Sequence, residues 1–254
     1  MKSASTPASW QQLLRGSHLA EQLQHRLDDW APSLFGFNVL KVDALSAALS
    51  LQGSRLLHSV YLSQNEASDK TALSADLIGD ATAMPFAPGS LDACLLAHVL
   101  DFSEHPHAIL REVEIGLRDD GWLIISGFNP YSSAGLASLL PTVKCRLPRW
   151  QNMVAPGRLE DWLKLLGFEV IKRDYCGLTQ MFDFSRGGQW CRRVYPHYCP
   201  SLSAAYIIMA RKRRYPLTPI RQYQPTKQVL QPGMARQQQQ QLKTSAELKT
   251  SAKE

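Results

Sequence analysis

The sequence predicts an α/β fold in which a mostly parallel, seven-stranded sheet carries helices on both faces. Three observations predict it. Short apolar segments alternate with amphipathic helical segments along residues 35–213, the order that a doubly wound sheet requires. The strongly apolar segments 91–100 and 122–128 are joined by a helical stretch. Turn sequences, Pro-Gly-Ser at 88–90 and Asp-Asp-Gly at 119–121, precede these two segments.

The first half of the chain supplies four of the strands. Residues 9–30 place large apolar side chains at roughly helical spacing, which predicts one or two amphipathic helices before the sheet. The segment 44–52 is interpreted as helical. The apolar runs that predict strands one to four lie at 38–45, 55–63, 75–80 and 91–100.

The second half completes the sheet. Residues 107–118 carry an apolar stripe at 109, 110, 113 and 117, so they predict a helix that the Asp-Asp-Gly turn ends. The fifth strand follows at 122–128. A helix at 158–167 ends at a glycine and leads into a strand at 168–175, and a last strand lies at 204–213. Residues 130–157, rich in Pro, Ser and Gly, are interpreted as a lid or an inserted subregion.

Charge is distributed unevenly along the 254 residues. The net charge is +6, but residues 211–254 hold ten Lys and Arg against two Glu, so residues 1–210 carry −2. A nearly neutral domain argues against a nucleic-acid-binding face on the domain itself, although the basic tail could contact nucleic acid. The tail, 214–254, contains four prolines and five consecutive glutamines, a composition that predicts disorder.

The cysteines and the apolar segments indicate a cytoplasmic protein with no membrane partner. Five cysteines, an odd number without a C-x-x-C pair, are typical of reduced thiols. No apolar run approaches the roughly 18 residues of a membrane span, and the N-terminus lacks an apolar signal region. Cys191, His197 and Cys199 are only three clustered soft ligands, so no metal site is predicted.

Residues 80–92 read D-x-x-x-M-P-F-x-x-G-S-L-D. This run resembles the third and fourth motifs of class I S-adenosylmethionine-dependent methyltransferases, the type 11 group in particular. The resemblance covers about residues 35–213 and implies a single Rossmann-like domain. An N-terminal helical segment, 1–34, precedes that domain, and the tail, 214–254, follows it. The resemblance also implies that S-adenosyl-L-methionine is the small-molecule methyl donor. The sequence identifies neither the methyl acceptor nor the oligomeric state.

The same resemblance implies which residues border the cofactor. Asp80, with the backbone amide of Ala81, would recognise the adenine amino group, although a strand-end Asp can also cap the following turn. Ala97 and His98 would border the methyl donor at the end of strand four. His98 could act as a general base or bond only to a neighbouring loop, so the catalytic residues stay unknown.

Two family motifs are altered here. The first is an acid followed by three alternating glycines, which let the backbone approach the methionine moiety. Lys41 stands at the acidic position, and Asp43, Leu45 and Ala47 replace the glycines. Asp43 could supply the missing carboxylate and is therefore a candidate cofactor contact.

The second altered motif is the acid that holds the ribose hydroxyls at the end of strand two. The matching position falls near Tyr61, and the nearest acid is Glu66. A weakened cofactor site is therefore expected, and two functions stay open: an active methyltransferase, or an inactive methyltransferase-like binding or scaffold protein. In the first, Leu45 turns away from an open cleft, which is the expectation preferred here. In the second, Leu45 fills the methionine site near Ala97.

Overall fold

The computed structural model describes residues 6–13, 15–64, 75–132, 152–176, 203–213 and 239–245. The chain divides into two compact units, Met1–Tyr215 and Pro216–Glu254. In the first unit, seven strands form one sheet in the order β3-β2-β1-β4-β5-β7-β6. Their bounds are β1 Phe35–Val42, β2 Arg55–Ser63, β3 Leu77–Ile78, β4 Leu91–Ala97, β5 Leu117–Phe128, β6 Phe168–Cys176 and β7 Ala205–Lys212. The predicted fold class is confirmed.

The sheet is parallel except at its last strand. β1 pairs in parallel with β2 and β4, β2 with β3, and β4 with β5. β7 runs antiparallel to both β5 and β6, between which it lies. The helices are α1 Gly16–Trp30, α2 Asp43–Ala47, α3 Val99–Phe102, α4 Pro106–Gly116 and α5 Pro156–Leu165, with 3₁₀ helices at Trp10–Gln12 and Ala31–Ser33.

Two hydrophobic cores cover the two faces of the sheet. Successive side chains of a strand point to opposite faces, so alternate residues of β1 and β4 enter different cores. Leu40 and Leu96 pack in the first core with apolar residues of α4 and α5. Val39 and Leu95 pack in the second core, the N-terminal core, with Leu23 and other residues of α1. The apolar stripe predicted over residues 9–30 is therefore the cover of one face of the sheet.

The junction between α4 and β5 differs from the prediction. The helix ends at Gly116 rather than at the Asp-Asp-Gly sequence, and β5 already begins at Leu117. Pairing with β4 passes from Leu91–Leu117 directly to Ala93–Trp122, which is a bulge on β5 with Asp120 at a φ of 64°. The Asp-Asp-Gly sequence at 119–121 thus forms a bulge within a strand and does not end a helix.

The structure describes only residues 239–245 of the predicted tail, 214–254. Residues 239–245 form a short helix with exposed side chains, and the disorder of the tail stays a prediction. The remainder of 214–254 lies outside the described residues, as do Cys191, His197, Cys199 and most of the predicted lid at 130–157. Among the helices that the structure describes, none has the length and apolarity to cross a bilayer.

Candidate functional site

The carboxyl ends of β1 to β4 form one edge of the sheet. These strands end at Val42, Ser63, Ile78 and Ala97, and because they are parallel, the residues that follow them gather along that edge. β1 lies between β2 and β4, so the chain leaves β1 toward one side and returns to β4 on the other. Ligands of open α/β sheets bind at such a switch point.

Asp43 lies directly after β1 and begins α2. It is 4% exposed, and its φ is 64°, in the left-handed region that glycine enters readily and aspartate only at a cost. Its Oδ2 accepts a hydrogen bond from Gln64 Nε2 at 2.7 Å, and Oδ1 accepts the Gln64 backbone N–H at 3.3 Å. Burial raises the pKa of Asp43 to about 6, against the opposing effect of these hydrogen bonds. The turn keeps a glycine-like backbone although the glycine is absent.

Lys41, at the position of the expected acid, lies in β1 and makes a hydrogen bond to the segment that follows α2. Its Nζ donates a hydrogen bond to the Leu49 carbonyl at 2.7 Å, just beyond the end of α2. Burial lowers the pKa of this lysine. The lysine therefore ties the segment after α2 to β1.

The short helix α2 is fastened to β4 and to the N-terminal segment. Ser46 Oγ accepts the Ala97 N–H at 2.8 Å, and the Leu45 carbonyl accepts a hydrogen bond from Trp10 Nε1 at 3.1 Å. The Leu45 side chain is 2% exposed and belongs to the N-terminal core, together with Ala97 and Trp10. This is the packing partner that the filled-site alternative expects. Ala81, next to Asp80, belongs to the other core.

Asp80 follows β3 and is exposed. Its Oδ1 accepts the Thr82 N–H at 2.8 Å and its carbonyl accepts the Ala83 N–H, which is the turn-capping role that the sequence left open. An exposed carboxylate in this geometry also keeps an oxygen accessible to a ligand. Ala81 is fully buried, and the Met84 N–H donates to Glu112 Oε2 of α4 at 3.2 Å. These contacts hold the loop on the domain.

His98 follows β4, is fully buried and has a φ of 58°. Its Nδ1 lies 2.9 Å from Oδ2 of Asp101, which is 1% exposed. The same oxygen accepts the Phe128 N–H at 2.9 Å. Burial raises the pKa of Asp101, opposed by His98 and by this amide. The imidazole centroid lies 4.1 Å from that of Phe128 and 5.6 Å from that of Trp10, which meets it edge-on.

Sequence reasoning missed three residues of this edge. Gln64 directly follows β2, so the strand-end rule that selected Asp80 would also have selected Gln64. Asp101 follows His98 by three residues, a spacing that brings two side chains together on one helical turn. Nothing in the sequence placed Trp10 here, because its contacts with Leu45 and His98 join distant parts of the chain.

Comparison with known proteins shows a matching family model and a relative of this chain. A family model described as a methyltransferase domain, Methyltransf_11, matches residues 38–125, which include most of β1, all of β2 to β4 and most of β5. The uncharacterized protein YafS of Escherichia coli (strain K12) is 34% identical over 212 residues, covering 84% of this chain and 83% of YafS.

Solved structures share the fold at low sequence identity. A S-adenosylmethionine-dependent methyltransferase of Thermotoga maritima superposes with a TM-score of 0.56 at 16% identity, over 78% of this chain and 93% of that chain. One from Archaeoglobus fulgidus gives 0.53 at 20% identity, over 78% and 96%. The cyclase SpnF gives 0.53 at 16%, over 76% and 80%, so the fold alone does not fix the reaction. The family match, the sheet order and the motif run at 80–92 instead show that the chain belongs to the type 11 group of class I S-adenosylmethionine-dependent methyltransferases.

Proposed function

We propose that the protein is an active methyltransferase whose cofactor site runs along the carboxyl ends of β1 to β4. The turn at Asp43 carries this proposal. A buried carboxylate in a left-handed conformation destabilises a fold. Glycine or asparagine would adopt the same backbone conformation at a lower cost in folding free energy. Such an aspartate has a functional reason when a ligand with hydrogen-bond donors binds to it. S-adenosylmethionine, the cofactor of this family, carries hydroxyl and ammonium donors.

The residues at this edge fit the two ends of that cofactor. Exposed Asp80 offers a carboxylate oxygen, and Ala81 a backbone amide, to the adenine. Asp43 and Gln64 would hold the ribose or amino-acid groups, since they stand at the ends of β1 and β2. Ala97 and His98 would border the reacting group. Bound there, the cofactor supplies an electrophilic methyl group on a sulfonium, while the protein positions the acceptor against it.

One observation favours the inactive alternative. Leu45 is buried in the core that contains Ala97, and Ser46 already caps the Ala97 amide. If these side chains occupy the methionine end, the domain would keep the fold as a binding or scaffold protein. The two functions differ in one measurable property, which is affinity for the cofactor.

Calorimetric titration of the full chain with S-adenosylhomocysteine tests the proposal. We expect saturable binding that Asp80→Ala weakens about ten- to a hundredfold, since one charge-assisted contact is worth roughly 1.5–3 kcal/mol. Asp119→Ala, which removes another exposed carboxylate at the opposite edge of the sheet, is the matched control and should bind normally. Wild-type protein that shows no binding at millimolar ligand would leave only the scaffold function.

A cytoplasmic location is also part of the proposal. It is supported by the cysteine content and by Cys94 and Cys176, which are buried free thiols. A nucleic-acid contact through the tail has only the tail's positive charge in its favour and stays a prediction from sequence.

A further inference from the structure

We propose that His98 is the proton acceptor of the methyl transfer, that Asp101 is its positioning residue, and that the methyl acceptor is a phenol-type hydroxyl compound. The inference rests on the proposed function and deepens it. The second ring nitrogen of His98, Nε2, is unusual because the residue is fully buried and this atom has no partner among the described residues.

The hydrogen bonds around Asp101 fix the tautomer of His98. Asp101 Oδ2 accepts the Phe128 N–H at 2.9 Å and lies 2.9 Å from His98 Nδ1. Because this carboxylate oxygen already accepts a backbone N–H, it acts as an acceptor toward His98 too, which favours the tautomer in which Nδ1–H donates to it. The proton of a neutral imidazole is then on Nδ1, and Nε2 presents a bare lone pair.

That lone pair has no hydrogen-bond partner among the residues that the structure describes, although the side chain is fully buried. A buried acceptor left unpaired costs about 1–3 kcal/mol, so such an atom needs an explanation. A ligand that donates a hydrogen bond to Nε2 would provide one.

The position of His98 supports the same interpretation. His98 directly follows β4, at the edge where Asp43 follows β1 and Asp80 follows β3, and it adopts a left-handed backbone. Within the described part of the chain, four non-glycine residues have positive φ, and two of them, Asp43 and His98, lie at this edge. Strained backbone of this kind gathers at functional sites.

The surroundings of the imidazole indicate the class of acceptor. Phe128 lies 4.1 Å from the ring and Trp10 meets it edge-on at 5.6 Å, so aromatic surfaces flank the base. The Ser126 carbonyl accepts the His98 N–H at 2.9 Å, and the Ser126 hydroxyl group is buried without a partner among the described residues. Aromatic walls with a few polar atoms suit a planar ring that bears a hydroxyl group.

The chemistry requires a base for such an acceptor. The acceptor oxygen forms a bond to the methyl carbon, and the bond from that carbon to the sulfonium sulfur breaks with its electron pair on sulfur. The hydroxyl proton passes to His98 Nε2, and the Asp101 carboxylate balances the resulting imidazolium. A carboxylate acceptor is already ionised at neutral pH, and a neutral amine attacks through its own lone pair. A phenol, with a pKa of about 10 like tyrosine, gains most from a nearby base.

Nitrogen NMR of the protein labelled at histidine tests the tautomer directly. We expect His98 to carry its proton on Nδ1 in the wild type and to lose that preference in Asp101→Asn. A wild-type proton on Nε2 would overturn the proposal, because Nε2 could not then accept another one. This readout needs neither cofactor nor turnover.

Binding of 4-nitrophenol to the protein saturated with S-adenosylhomocysteine tests the base. Its absorbance reports whether the bound phenol is ionised below the phenol's own pKa. The informative variant is His98→Asn, because an asparagine amide can still donate to Asp101 and tolerates positive φ, while it lacks Nε2. We expect ionisation by the wild type and by the exposed control His105→Asn. In His98→Asn we expect no ionisation and at least about tenfold weaker binding.

Two results of that titration contradict the proposal. His98→Asn that binds and ionises the phenol like the wild type would show that another group accepts the proton. Wild-type protein that binds S-adenosylhomocysteine but leaves the phenol unbound or un-ionised would remove this inference alone. Failure to bind S-adenosylhomocysteine would instead remove the proposed function.

Discussion

Asp43 combines a strained backbone with a buried carboxylate, and both should reduce stability at neutral pH. Its pKa in the folded protein is about 6, above its ordinary value of 3.8, so the folded state binds a proton more tightly than the unfolded state. Stability therefore falls as pH rises from about 4 to 6, by at most roughly 3 kcal/mol. A site kept at such a cost is expected to bind a ligand.

Asp43→Asn should accordingly stabilise the protein at pH 7 by about 1–2 kcal/mol, with the gain vanishing near pH 4, while it weakens S-adenosylhomocysteine binding. Urea unfolding at both pH values measures this. The matched variant is Asp92→Asn, also buried but paired with Arg118 and with the amides of Phe37 and Asn38, which should destabilise instead. If Asp43→Asn destabilised the protein to a similar degree, Asp43 would be a structural residue.

The candidate site could be predicted from sequence only where local motifs encode it. Asp80 and His98 are predictable because each lies at a strand end in the part of the chain that resembles the family, and Asp80 begins the motif run at 80–92. Asp101 and Trp10 were not, since their importance depends on Phe128 and Leu45, which are distant in sequence.

At the scale of elements, α2 decides between the two functions. Leu45→Ala should cost about 2–4 kcal/mol in unfolding free energy, because the side chain is 2% exposed in the N-terminal core. The active-enzyme proposal predicts unchanged S-adenosylhomocysteine affinity in this variant. A clear gain in affinity would mean that the leucine fills the methionine end. Leu49→Ala, in the same core but beyond α2, controls for destabilisation alone.

The central strands β4, β5 and β7 were predictable because each buries an apolar run. The α4–β5 junction was not, because long-range ion pairs hold its bulge. Arg118 pairs with Asp92 of β4, and Arg213, beyond β7, pairs with Asp120 at 3.0 Å. A helix-stop signal at residues 119–121 cannot reveal partners that are recruited from other strands.

At the scale of the whole chain, the two ends should contribute differently to stability. Truncation after Arg214 is expected to change the melting temperature by no more than about 2 °C, because the composition of the tail supplies little core. Removal of residues 1–13, a shorter segment, takes away buried Trp10 and Leu13. This truncation should lower the melting temperature by well over about 2 °C. Calorimetric melting of both forms checks this. A large loss on tail removal would show that the tail stabilises the domain.

The proposed function requires that the cofactor binds along the carboxyl ends of β1 to β4. A crystal structure of the full chain grown with saturating S-adenosylhomocysteine tests it most directly. We expect the adenine against Asp80 and Ala81, the remainder of the ligand reaching Asp43, and His98 Nε2 facing the sulfur. An empty edge at saturation, or the ligand bound elsewhere on the protein, would contradict it.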